Sequence, residues 1–308
     1  MQYRFSGHET FPCRYAWLPK AFGEIRQNPK ALADDQEAMI ALGVGKNMVR
    51  AIRFWLQIAG MAAAGSGGSF TPTPFGKAVL SPRGEDPFLE DIRTLWLIHW
   101  QIATHVEQPL FAWEFLLNRW PHPEFSRSVA LAAFKHEARL LGKDLSEITL
   151  EQHFDVFLHS YVPTRGRKGE VLEDNLDCPL VELELIQRTG ERPTGKQGHR
   201  EAVYAFRREE KPEITPPLFI YCLDDFWRRW RPSEQTLTLK DVALAPGSPG
   251  QIFKLPEDDV RDRLERIGSD SEQLFGYRES ASLQHVIRNR QPEGSLLGRL
   301  YEREPAHA

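Results

Sequence analysis

The sequence predicts a mainly α chain with small β-hairpin wings. It divides into a winged-helix-like unit over 1–84, a helical middle over 85–160, and an acidic-motif region with a second winged-helix-like unit over 161–308. Three observations predict this. Val49, Ile52, Leu56 and Ala59 recur at helical spacing and share one face. Short Gly/Ser and Gly/Pro breaks, Gly65-Ser66-Gly67-Gly68-Ser69 and Pro246-Gly247-Ser248-Pro249-Gly250, punctuate otherwise helical stretches. With 308 residues the chain exceeds the roughly 250–300 at which a single core stops growing.

The first 22 residues set His8, Glu9, Cys13, Arg14 and Lys20 among Phe5, Phe11, Tyr15, Trp17 and Phe22. A signal peptide needs an unbroken apolar run, and a solvated tail lacks aromatics. This segment is therefore expected to fold. Ala31 to Leu42 reads as a short helix, Gly43-Val44-Gly45 as a break, and Lys46 to Ala59 as a second helix. Lys46, Asn47, Arg50, Arg53 and Gln57 fall opposite its apolar face. The glycine-rich tip and Phe70-Thr71-Pro72-Thr73 then read as a hairpin. In such a plan the second helix can enter a major groove, where Arg and Asn match guanine and adenine edges. The same face is also what an ordinary solvated helix presents, and winged helices serve as protein–protein modules too.

The middle reads as all helical: Pro87–Ala103, Pro109–Trp120, Ser126–Leu141 and Leu150–Ser160. Its histidines lack a metal-type spacing with a supporting acid. Beyond it, Tyr161 to Gly169 forms a basic loop with Arg165, Arg167 and Lys168. Leu183–Arg188 and Ala202–Arg207 read as strands. Thr215 with Pro216 opens a helix running to Trp230. Leu239–Leu244 and Pro256–Ile267 repeat the short-helix, turn, helix plan, and Leu274–Glu279 reads as a strand after them.

Net charge is −4, which argues against a general nucleic-acid coat. Its distribution is uneven. Residues 1–84 hold ten Lys/Arg against five Asp/Glu, a net of +5, and 85–158 hold six against twelve, a net of −6. A basic first unit beside an acidic middle is compatible with local DNA binding, as it is with two ordinary surfaces. No stretch approaches the roughly 20 apolar residues of a membrane span. Cys13, Cys178 and Cys222 lack metal-type spacing and fit free thiols in a reducing cytoplasm.

Chemistry has two candidate places. Glu173, Asp174 and Asp177 supply hard oxygen ligands of the kind Mg²⁺ or Mn²⁺ needs to polarise a phosphate and activate water. Asp174 and Asp177 are three apart, and Arg165, Arg167 and Lys168 just upstream suit flanking phosphates. Helix capping before Cys178-Pro179-Leu180 explains one of these acids equally well. His8 and Glu9 form the second place, as a base and its orienting acid or metal ligand. Capping and burial of the imidazole are the alternative. No phosphate-cradling glycine loop precedes a helix, so no nucleotide cofactor is expected.

Four blocks carry a resemblance. They are Phe5-Ser6-Gly7-His8-Glu9-Thr10-Phe11-Pro12-Cys13-Arg14-Tyr15-Ala16-Trp17-Leu18-Pro19-Lys20, Leu42 to Leu56, Glu173 to Leu180, and Ser248 to Leu255. Together they resemble the SspB family of bacterial DNA phosphorothioation defence. The resemblance implies a DNA nickase acting on duplex DNA. It implies partnership with a cysteine desulfurase, an ATPase and an ATP pyrophosphatase. Two other readings stand beside it: a non-catalytic DNA-binding adaptor that recruits the sulfur-transfer enzymes, and a winged-helix transcriptional regulator.

Overall fold

The structure, a computed structural model, describes residues 2–163, 178–194, 198–280 and 283–302. The chain divides into two compact units, residues 1–207 and 208–308. The limits drawn from sequence near 84 and 160 fall inside the first.

The first unit begins with an extended strap. Arg4 N–H donates to Pro109 O and Arg4 O accepts from Phe111 N–H, both at 3.0 Å, so the strap pairs with the chain ahead of a later helix. Phe5 stacks on Phe111 with centroids 4.6 Å apart. Gly7 adopts φ +112°, and a Cβ there would lie 2.8 Å from the Phe54 ring. Any side chain at that position meets both strain and collision.

Helix α1 (Trp17–Gln27) buries Leu18, Ala21, Phe22 and Ile25. Helix α2 (Asp35–Leu42) is capped by the Asp34 side chain, which accepts from Gln36 and Glu37 N–H. It ends at Gly43, whose φ of 65° turns the chain left-handed into α3 (Lys46–Ile58). The helix expected from Ala31 thus starts four residues later. Asn28 to Ala33 instead makes short turns that end in the Asp34 cap. In α3 the expected Val49, Ile52 and Leu56 are buried, joined by Ala51, Phe54, Trp55 and Ile58. Each large apolar side chain buried this way contributes roughly 1.5–3 kcal/mol. Strands β1 (Ala62–Ala64) and β2 (Phe70–Pro72) form an antiparallel hairpin, and α4 (Pro74–Leu80) follows.

Helix α5 (Ile92–Ala103) is buried over most of its surface, consistent with the run Leu95 to Trp100. Helix α6 (Phe111–Glu114) widens into a looser turn through Arg119. The region read as purely helical then contains a strand, β3 (Glu124–Ser126), before α7 (Arg127–Leu140) and α8 (Glu147–Tyr161). Three residues are too few to show a period of two, so no pattern announces this strand. It pairs with β5 (Arg200–Phe206), which pairs with β4 (Ile186–Pro193).

The second unit opens with α9 (Pro216–Trp230) and β6 (Thr236–Thr238). Helices α10 (Leu239–Leu244), α11 (Pro249–Phe253) and α12 (Glu257–Asp270) follow. The hairpin β7 (Phe275–Glu279) and β8 (Gln284–Arg288) closes the sheet. A reciprocal capping box, Thr238 with Asp241, fixes the start of α10.

Each unit has one three-stranded sheet, and these two sheets have the same topology. Strand order is β3-β5-β4 in one and β6-β8-β7 in the other. In each, a strand leads into helices and then into a hairpin whose last strand returns beside the first. The 160/161 limit cuts through the earlier of these modules. The protein is mainly helical with small antiparallel sheets.

Candidate nucleic-acid interface

Helix α3 presents the polar face expected from its sequence. Lys46, Asn47 and Arg50 are exposed and Arg53 is half-buried, because the remaining positions are committed to the core. Trp55 on the buried side donates its indole N–H to Phe11 O at 2.9 Å, tying the helix to the strap. The helix begins at Gly45 without a side-chain cap, so its first backbone N–H groups are not engaged by a cap.

Sequence reading missed one partner of this face. Asp35, in the first turn of α2, accepts from Arg53 Nη1 at 2.6 Å, and Lys46 Nζ lies 3.2 Å from its other oxygen. The two cations hold the Asp35 carboxyl below its usual range, with the Arg53 hydrogen bond the largest cause. Two of the four candidate DNA-contacting residues on α3 are therefore bridged by one acid, while Asn47 and Arg50 stand clear of it. The signal was the Asp34-Asp35 pair: one acid caps α2 and the other is left to face α3.

The other modules carry the opposite charge on the corresponding helix. On α8 the residues left outside the core include Glu147, Glu151 and Asp155, and these pair with Lys135 and Arg127 of α7. On α12 the exposed residues include Asp258, Asp262, Glu265 and Asp270, with Arg266 among them. Of the three, α3 alone offers a basic face.

His8 is buried, at 3% exposure. It meets His153 of α8, with Nε2 to Nδ1 at 3.0 Å and the rings stacked. Ala112 N–H donates to His153 Nε2 at 3.0 Å. His153 Nδ1 must then bear that ring's proton and donate to His8 Nε2. His8 in turn keeps its proton on Nδ1, and the 3.3 Å approach of Thr10 N–H to that atom is the contact given up. Burial drives both pKa values down, His8 to about 4 and His153 well below the usual range. Two neutral rings thus fasten the strap to α8. Glu9 and Thr10 beside them take φ of 49° and 67°, so this segment is a tight turn and not a helix cap. His153 was visible in the sequence as one histidine of many, and nothing in its spacing marks it as the partner.

His99 is likewise a core group. Tyr161 OH lies 2.7 Å from its Nδ1 and accepts from Trp113 Nε1 at 2.9 Å. The three cysteines are buried, and burial raises all of their thiol pKa values. Among the described residues no group of three or more His, Cys, Asp and Glu is placed to hold a metal ion. The carboxylates Glu173, Asp174 and Asp177 and the cations Arg165, Arg167 and Lys168 lie outside the described residues. No described helix is long and apolar enough to cross a membrane.

A family model described as a protein of unknown function, DUF4007, matches residues 5–301. A magnesium-ion-bound SspB crystal structure superposes with a TM-score of 0.78 at 28% identity, covering 92% of this chain and 82% of that one. A second SspB crystal structure gives 0.75 at 25% identity with the same coverage. No curated protein matches the sequence.

Proposed function

This chain belongs to the DUF4007 family and is SspB-like, and we propose that it is the DNA-nicking component of a bacterial phosphorothioation system. The observation that carries this reading is the basic face of α3 in a chain otherwise acidic on its corresponding helices. In this reading α2, α3 and the β1–β2 hairpin work as a winged helix. Asn47 and Arg50 read base edges in the major groove, and Lys46 and Arg53 hold phosphates. Residues 208–308 form the second winged-helix-like unit.

Glu173, Asp174 and Asp177 are the carboxylates proposed to hold Mg²⁺ or Mn²⁺, with Arg165, Arg167 and Lys168 contacting flanking phosphates. The SspB structure with bound magnesium supports a divalent ion. Such an ion supplies Lewis-acid stabilisation of one phosphodiester and a water of lowered pKa. His8 and Glu9 are assigned to the strap junction in preference to catalysis, since His8 is spent on His153. A cysteine desulfurase, an ATPase and an ATP pyrophosphatase are the proposed partners, and the cytoplasm the proposed location.

Supercoiled plasmid tests the reading. With Mg²⁺ or Mn²⁺ the wild type is expected to produce open circles, and Asp174→Ala with Asp177→Ala is expected to abolish them while the fold is kept. Duplex binding without any open circles would favour the non-catalytic adaptor. A folded double variant that nicks normally would move the metal site elsewhere.

A further inference from the structure

The β1–β2 hairpin lacks what a wing uses to grip DNA. From Ala62 to Thr73 it carries no charged residue. Its tip is closed on itself: Gly65 N–H donates to Ser69 O at 2.8 Å, and Ser69 Oγ donates to Ser66 O at 2.9 Å. Gly67 and Gly68 turn the chain there with φ of 62° and 74°. A phosphate backbone is held chiefly by Lys and Arg, and this tip offers neither.

The hairpin packs instead on the loop between α1 and α2. Phe70 N–H of β2 donates to Pro29 O at 2.8 Å. A Cβ on Gly68 would lie 3.2 Å from Ala33 Cβ, so the tip and the loop are in close contact. Leu32 is fully buried and anchors the loop to the core. Within it, Lys30 N–H donates to Asn28 Oδ1 at 2.9 Å and Lys30 O accepts from Ala33 N–H at 2.8 Å. Ala33 O also accepts from Arg53 Nη2 of α3 at 3.4 Å. One well-fixed loop therefore joins the hairpin to the polar face of α3.

That loop carries the charge the hairpin lacks. Lys30 is exposed on it, and Arg26 is exposed in the last turn of α1 just ahead. Neither pairs with an acid among the described residues. The acids that follow in the chain are committed elsewhere, Asp34 to the cap of α2 and Asp35 to Lys46 and Arg53. We propose that Lys30, supported by Arg26, contacts a backbone phosphate of duplex DNA beside the groove that α3 enters, and that the hairpin buttresses the loop without touching the DNA. This contact rests on the DNA-binding reading above and lies outside α3. A loop fixed before binding loses little freedom on binding. A phosphate contact adds affinity on every sequence alike, since it carries no base information.

The test titrates duplex binding by the full chain against salt, in the wild type, Lys30→Gln, Arg26→Gln, Ser66→Glu and Arg50→Gln. Lys30→Gln is expected to bind several-fold more weakly at low salt, equally on preferred and random duplex, with a salt slope shallower by about one. Arg26→Gln is expected to lose less in the same direction. Ser66→Glu places an acid on the hairpin tip and is expected to lose less than Lys30→Gln. A Lys30→Gln variant with the affinity and slope of the wild type overturns the proposal. So does a Ser66→Glu variant that loses more than Lys30→Gln, which would return the contact to the hairpin. If Arg50→Gln loses affinity while Lys30→Gln does not, only the loop contact fails and α3 keeps its role. A wild type without salt-dependent duplex binding removes both. None of these results depends on whether the protein nicks DNA.

Discussion

Helices α3 and α12 occupy the same place in the chain order of their modules, each ahead of a hairpin, yet their surfaces are opposite in charge. Lys46, Asn47 and Arg50 are exposed on the first, and Asp258, Asp262 and Glu265 on the second. A duplex carries one negative charge per roughly 1.7 Å, so a helix with the surface of α12 is repelled from a groove that attracts α3. The shared topology therefore does not carry shared function; the side chains left over after core packing decide it. The two regions also differ in how they are fastened. Two neutral histidines hold the strap of the first unit, whereas the Asp224–Arg288 ion pair and the bonds from Arg263 to Ile214 O and Lys211 O hold elements of the second.

The largest effect expected from this contrast is on acid stability. His8 and His153 are deprotonated in the fold but titrate near 6.5 when unfolded, so the unfolded chain binds more protons below that pH. Their contribution is intact above pH 6.5 and is lost as pH falls towards 4. For His8 alone it is on the order of 3 kcal/mol. Denaturant unfolding of the first unit is expected to lose this stability across that window. His153→Leu, which cannot be protonated, removes part of the pH dependence while costing stability at pH 7. A first unit equally stable at pH 7 and pH 4.5 would remove the latch from the comparison.

Base reading comes next. Asn47→Ala removes a side chain that pairs with adenine edges, at roughly 1–3 kcal/mol of discrimination. Binding to a preferred sequence is expected to weaken about tenfold while binding to random duplex barely changes, as read by competition anisotropy. Equal losses on both sequences would make Asn47 a phosphate contact.

The smallest effect sharpens the role of Asp35. Its carboxylate occupies Lys46 and Arg53 as a phosphate would. Asp35→Asn is expected to tighten duplex binding by a few-fold and to steepen the salt slope, because both cations become available. Weaker binding would mean that Asp35 instead holds the two side chains in their working positions.

Much of this was legible in the sequence where a pattern had room to repeat. Thirteen residues of α3 show the apolar spacing and its polar complement, and both faces are where the spacing puts them. Strand β3, at three residues, shows nothing, and its pairing to a strand some 80 positions later hides the module that contains it. The strap illustrates a different limit. Its aromatics announced burial, and Phe5 and Trp17 are buried. Which polar group His8 would meet depended on a contact 145 residues away. Asp35 and Asp224 share that limit: an acid in a helix gives no sign of which arginine it will hold.

The most direct measurement sets the two helices side by side. Duplex binding by the full chain is titrated against salt for Arg50→Glu with Arg53→Glu on α3, and for Arg261→Glu with Arg266→Glu on α12. The α3 variant is expected to lose at least 100-fold in affinity at low salt and to flatten the salt slope by about two, with the α12 variant near wild type. Equal losses from the two helices, or none from α3, would contradict the assignment of α3 as the groove-reading element.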